Sequence, residues 1–314
     1  MVSHLTGSLL LAFHLLSVNV AMIAPLLMIL IEFRAWRGDP AARELLPKVG
    51  LLATKTLLLG GLIGFLHGWL LWNDDYQALI LATGSRWVFT IAEFGFSFVL
   101  VLAVWIFAAR ASRKLIERPA SRPSWGFWIR GLLLFAAGTN LIYHFPVFFE
   151  IISVLRQQPI PDEPLTSAEF RALIAHPTVV SRTLHVVLAA IATTGAMVAW
   201  MAQRRFNKTE GSLRQAWHRW YRRGLHAVLG ATSLQFFVGF WVALQLPRSK
   251  ANTLTGGSDE ALIVIGLAAV AITALLHAAI RGILEREKAT YGTATALWLI
   301  GAVYSMSWIS LLTR

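Results

Sequence analysis

Cysteine is absent from the 314 residues. Its absence excludes thiolate-ligated metal, c-type haem attached through a CxxCH motif, and structural disulfides. Charge is scarce as well: 14% of the residues are Asp, Glu, Lys or Arg, against about 25% in a soluble domain. Acidic residues are the scarcer kind, 16 against 28 basic ones. No polar stretch is long enough to build a soluble domain. The longest, about Arg156 to Pro177, is Pro-rich (QQPIPDEP) and has room only for a short surface helix at Ser167–Ala175. The first apolar segment lacks a basic leading region and a small-residue cleavage site, so it reads as a retained helix rather than a signal peptide.

What is abundant is apolar sequence, 56% of the chain. Eight stretches reach the roughly 20 residues that a membrane-spanning helix needs, at about 6–31, 50–72, 87–109, 128–153, 178–203, 223–246, 260–281 and 291–312. The expected fold is all-α: a polytopic membrane protein with eight transmembrane helices arranged as two four-helix bundles, 1–155 and 178–314, joined by an outer loop over 156–177. Each set of four opens on a helix with a histidine near one end (His14, His185). Each continues, past a basic connection, into a glycine-containing helix that ends in Trp-rich sequence (GFLHGWLLW and FFVGFWVAL).

The formal charge of +12 is unevenly spread. Of the 28 Lys and Arg residues, 20 fall in the connections after the first, third, fifth and seventh spans, and seven fall on the opposite side. The positive-inside rule puts the basic connections in the cytoplasm and both termini outside. The basic excess is therefore a topology signal with anionic lipid as its contact, and nucleic acid is not expected.

Ionisable side chains in hydrocarbon are costly and are seldom kept without a function. At 1.5 Å per helical residue, His14, His67, Glu93, His144 and His185 all lie roughly 8–13 Å from the outer ends of their spans. Histidines aligned on separate helices suit axial ligation of haem iron, the cofactor expected being haem b, in two or more copies. In an up-and-down bundle, helices one and three are diagonal, as are two and four. That pairs His67 with His144 and sets His14 opposite Glu93. Met306, about 9 Å from the outer end of the eighth span, matches the depth of His185. His226 and His277 lie near the inner ends, where they would hold a further haem or reach the interface. Gly60, Gly64 and Gly68 clear a stripe beside His67, which serves either close helix packing or a flat porphyrin. Trp69, Trp72, Arg86 and Trp87 form a polar-aromatic outer edge at which quinone or quinol would bind.

With these residues in view, the stretch from Leu5 to Leu244 resembles subunit I of the cytochrome bd-type quinol oxidases. The first helix (FHLLSVNVAMIAPLLMILIE) carries a histidine followed 18 residues later by glutamate, His14 and Glu32. The segment TIAEFGFSF is similar to one that bears a functional glutamate in that family, here Glu93. The stretch at Gly138–Leu141, the segment RTLHVVLAAIATTGAMVAW and the RRG before the sixth helix also fit. The resemblance implies that His185 ligates a low-spin b haem. The departures are equally specific. The seventh helix reads ALIVIGLAAV where the family has a methionine ligand, and only Pro247–Gly257 stands in place of the long quinol-binding loop. The Gly-Arg-Gln-Pro-Trp segment and an eighth-helix carboxylate are missing, and Val101 replaces a second glutamate. His67 and His144 are additions. Added histidines close the open iron position that oxygen chemistry needs, which favours electron transfer.

The expectation is a haem-binding subunit of the bacterial cytoplasmic (inner) membrane. It would carry electrons between quinol and partner redox proteins, such as a c-type cytochrome, within a larger complex. Two rivals stand beside it: a reduced bd-type oxidase using His14 and Glu93 for oxygen, and a proton- or metal-coupled transporter relaying through the buried histidines.

Overall fold

The computed structural model describes residues 2–312 other than 71, 118–124, 162 and 286; side chains 2–4 and 109–117 are also outside the description. Arg110, Arg113, Lys114, Arg118, Arg122, Arg286 and Arg314 of the charge map therefore lie outside the described side chains. Among the described residues all regular structure is helical: α1 (Val2–Trp36), α2 (Pro40–Leu70), α3 (Asp74–Ala82), α4 (Arg86–Glu117), α5 (Trp125–Leu155), α6 (Ser167–Ile174), α7 (Pro177–Phe206), α8 (Gly211–Leu244), α9 (Arg248–Asn252), α10 (Asp259–Leu284) and α11 (Gly292–Leu312). Eight of them (α1, α2, α4, α5, α7, α8, α10 and α11) are long and apolar enough to cross a membrane, one for each expected span.

Several of these helices outrun the apolar stretches at their basic ends. α1 runs on to Trp36, α2 begins at Pro40 and α8 at Gly211. Hydropathy finds only the part of a helix that hydrocarbon covers, whereas Arg and Lys are good helix formers that snorkel beyond it. Pro40 opens α2 at its first helical position, where the missing N–H costs nothing. The α1–α2 turn is tight: Gly38 sits at φ +91°, and Asp39 Oδ1 accepts from the backbone of Ala41 and Ala42.

The opposite end is built from longer connections with short helices. α6 forms where expected, closed by a capping box between Thr166 and Glu169. α3 is an addition to the expected elements. Asn73 caps it by accepting from Tyr76 N at 2.8 Å, with Asp74 and Asp75 in its first turn.

The closest helix pairs are α1 with α2 and α7 with α8. α2 also packs on α4, α4 on α5 and α5 on α1; α8 packs on α10, α10 on α11 and α11 on α7. α1 touches α7 and α11 as well. α1 and α7 are the central helices, with half of their apolar windows buried against a third or less elsewhere.

Small residues allow this packing: Ala24, Ala53, Ala137, Ala190, Ala196 and Ala199 are buried in the core. An added Cβ on Gly195 would stand 2.8 Å from the Gly224 carbonyl, so α7 and α8 cross backbone to backbone. Large apolar side chains instead face outward, among them Phe65, Phe89, Leu132, Phe237 and Leu267. That inversion of the soluble pattern suits lipid as the surrounding solvent.

Candidate functional site

His14 lies on α1 with its ring set into α2. Its Nδ1 is 2.9 Å from the Gly60 carbonyl. A carbonyl only accepts, so Nδ1 carries the proton and Nε2 of the neutral ring keeps its lone pair. A backbone carbonyl that fixes the tautomer in this way is the usual orienting partner of an Nε2 ligand. The ring fills the notch at Gly64, where an added Cβ would stand 2.6 Å from His14 Cε1. Gly60 meets Val18, and Gly61 meets Phe94. The Gly60–Gly64 stripe is thus closed by helix packing, and of the two uses open to it in the sequence, helix packing is the one realised there. Among the glycines of α2, only at Gly68, beside His67, does an added Cβ meet nothing within 4 Å.

His185 on α7 also faces a glycine of the next helix, but more loosely. A Cβ on Gly239 of α8 would stand 3.9 Å from the ring, which leaves room there for a methyl group. Here the orienting bond is missing: Nδ1 is buried and has no hydrogen-bond partner. The nearest tie is to the backbone, where Gln235 Nε2 donates to the His185 carbonyl at 3.4 Å. A buried ring nitrogen without a partner is uncommon and calls for an unseen ligand, ion or water. One turn before it, Arg182 is anchored by Glu150 at 3.3 Å and Ser153 at 2.7 Å, both on α5.

Glu93 on α4 is half-buried. Asn140, four residues before His144 on α5, donates to the Glu93 backbone carbonyl at 3.2 Å and to Ser97 Oγ at 2.8 Å. These bonds hold the Glu93 and His144 segments at one level. His144 is half-buried and meets Tyr143 edge-on, ring centroids 4.9 Å apart. α5 continues through Pro146 without interruption. His67 is half-buried on α2, a helix that packs on α1 and α4 but not closely on α5. Met306 is 40% exposed, between the buried Ser305 and Ser307.

Other polar residues have structural duties. Arg86 donates to the Thr83 and Leu165 carbonyls and to Ser167 Oγ, and its guanidinium lies 4.7 Å over Phe170. It staples the 156–177 connection to the start of α4, which accounts for its charge without a quinone. His226 Nδ1 bonds the Arg222 carbonyl of its own helix at 2.7 Å, and both His226 and His277 are exposed. That suits the interfacial role open to them. Glu32 is 2% exposed and pairs with Arg130 of α5. The sequence did not pair His14 with Gly60 or His185 with Gly239, though Gly60 heads the glycine stripe of α2 and Gly239 stands in the Trp-rich end of α8.

Among the described residues no three His, Asp or Glu side chains come together as a metal-ion site. Axial haem ligation asks for less, one side chain on each face of the macrocycle. No family model matches the sequence, and no curated protein does.

Proposed function

We propose that the chain is a b-type haem-binding membrane subunit that passes electrons between quinol or quinone and partner redox proteins near the outer face of a bacterial cytoplasmic membrane. It is read as two four-helix bundles with both termini outside. The observation that carries the proposal is that each helix hairpin sets a histidine opposite a glycine: His14 fills the notch at Gly64 in one, and His185 faces Gly239 more loosely in the other. Each histidine lies partly buried; His14 keeps its Nε2 for a ligand, and His185 Nδ1 has no hydrogen-bond partner. Helix contacts favour the bundle reading, because α1 with α4 and α2 with α5 are the weakly touching diagonals of the first four. His67 and His144 then belong to one diagonal pair of helices, and His14 and Glu93 to the other.

Bound haem would supply one-electron chemistry, and the chain's own tasks are holding, orienting and keeping water away. Gly60 orients His14, Asn140 holds the Glu93 segment, and the close α7–α8 crossing keeps His185 at a fixed depth.

The test is a dithionite-reduced minus oxidised spectrum of the purified protein with pyridine haemochrome quantification. The expected result is two or more low-spin b haems without carbon monoxide binding, one of them lost in His185→Ala. Absence of haem overturns the proposal, and carbon monoxide binding turns it toward the oxidase.

A further inference from the structure

At the end of the helices that carries the basic connections, a cleft of about 220 Å³ opens where α2 meets α7 and α8. Its walls are Lys48, Trp200, Met201, Arg204, Arg205 and Trp217. Two of the three cations share a single carboxylate, and Arg204 has none in reach among the described residues. Glu44 lies 3.1 Å from Arg205 and 3.6 Å from Lys48, the latter beyond hydrogen-bond reach. Arg204 rests 4.9 Å over the Trp200 ring and Lys48 5.5 Å over Trp217.

Two buried donors in this cleft are under-satisfied. Trp217, 0% exposed, leaves Nε1 without a hydrogen-bond partner, and Lys48 Nζ has only the long ion pair to Glu44. Buried donors are nearly always satisfied, so two such donors lining one basic cleft point to a further anionic acceptor. The apolar wall of Trp200 and Met201 adds a surface that suits an acyl chain and not a free ion. We infer that this cleft binds the phosphate of an anionic phospholipid, held by Lys48, Arg204 and Trp217, at the seam between α2 and the α7–α8 hairpin. Basic pockets between transmembrane helices on the positively charged side are where such headgroups are held. The inference stands independently of haem.

The experiment uses the full chain, purified in mild detergent, delipidated, and titrated with phosphatidylglycerol, phosphatidylcholine or inorganic phosphate. Native mass spectrometry reads retention and thermal unfolding reads stabilisation. Phosphatidylglycerol is expected to be retained and to raise the unfolding temperature, while phosphatidylcholine and inorganic phosphate do not. Lys48→Gln and Arg204→Gln should each weaken phosphatidylglycerol binding by about tenfold, the loss of a charge-assisted hydrogen bond. Arg37→Gln, which removes an exposed cation at the same end, should leave binding within about twofold. Arg204 is exposed, so its variant carries the test if Lys48→Gln fails to fold. Equal binding by wild type and both variants overturns the site, because the two donors are then merely hydrated. Equal loss in Arg37→Gln overturns it in favour of diffuse charge. An equal effect of phosphatidylcholine or of inorganic phosphate overturns the anionic lipid as occupant.

Discussion

Three glycines spaced by four along α2 have different surroundings, and an added methyl group separates them. At Gly64 it would stand 2.6 Å from His14 Cε1, and the ring would have to leave its notch. At Gly68 it meets nothing within 4 Å. Gly64→Ala should therefore destabilise the protein by about 1–3 kcal/mol, the cost of overpacking. Gly68→Ala should be neutral or stabilising by up to about 1 kcal/mol, since alanine is the better helix former. Thermal unfolding in detergent measures both. If His14 is a haem ligand, Gly64→Ala also shifts the low-spin spectrum, and Gly68→Ala does not. A second residue-scale expectation concerns Glu32 and Arg130, a buried pair joining α1 to α5. Glu32→Leu strands a guanidinium that is 15% exposed, at a cost of about 3–5 kcal/mol. The double change Glu32→Leu with Arg130→Met should recover most of that loss, because two apolar side chains need no partner; failure of the double variant to recover would sink this account.

At the scale of elements, the eight spanning helices were legible because each is a long apolar run, a signal that survives without any knowledge of tertiary contacts. Their ends were not. The apolar period stops where lipid stops, while the α1, α2 and α8 helices continue through charged sequence into water. Short surface helices depend on their caps. α6 was readable because the 156–177 connection has room for a helix, and the Thr166–Glu169 capping box that starts it appears only in the structure; α3, with its Asn73 cap, was hidden between two spans. The α6 cap also sets a pH dependence. The Thr166 hydroxyl and backbone N–H hold the Glu169 carboxyl below the ordinary carboxylate range. A lowered folded-state value means that the cap's contribution is complete above the unfolded carboxylate pKa and lost as pH falls through the folded one. Hydrogen exchange should find the first-turn amides of α6 protected at neutral pH and losing protection in that acid window. Glu169→Gln, which removes the titrating group, should flatten the dependence.

For the whole molecule, the sequence offered depth along each span and an expected sidedness; what it hid was azimuth. Counting residues from a span end placed His14 and His185 at similar depth, and the structure gives both a glycine neighbour on the next helix. No count could tell that His14 points into Gly64, that Met306 is 40% exposed, or that Arg86 is engaged by the Leu165 carbonyl, because each depends on which face of a helix meets which neighbour. Sidedness is directly testable, and the absence of cysteine makes the chain its own background for accessibility mapping. Gln158, in the connection after α5, and Lys208, in the turn between α7 and α8, are both exposed, and they lie at opposite ends of α7. The excess of cations in the α7–α8 turn and its companions is the ground for expecting that end in the cytoplasm. With Gln158→Cys, a membrane-impermeant maleimide should label intact cells or spheroplasts. With Lys208→Cys it should label only after the membrane is opened. The reverse pattern would invert the protein, put the histidine tier on the cytoplasmic side and move the expected redox partners there with it. Labelling of both sites in intact cells would deny that the two ends of α7 are separated by a membrane, and with it the spanning role of that helix.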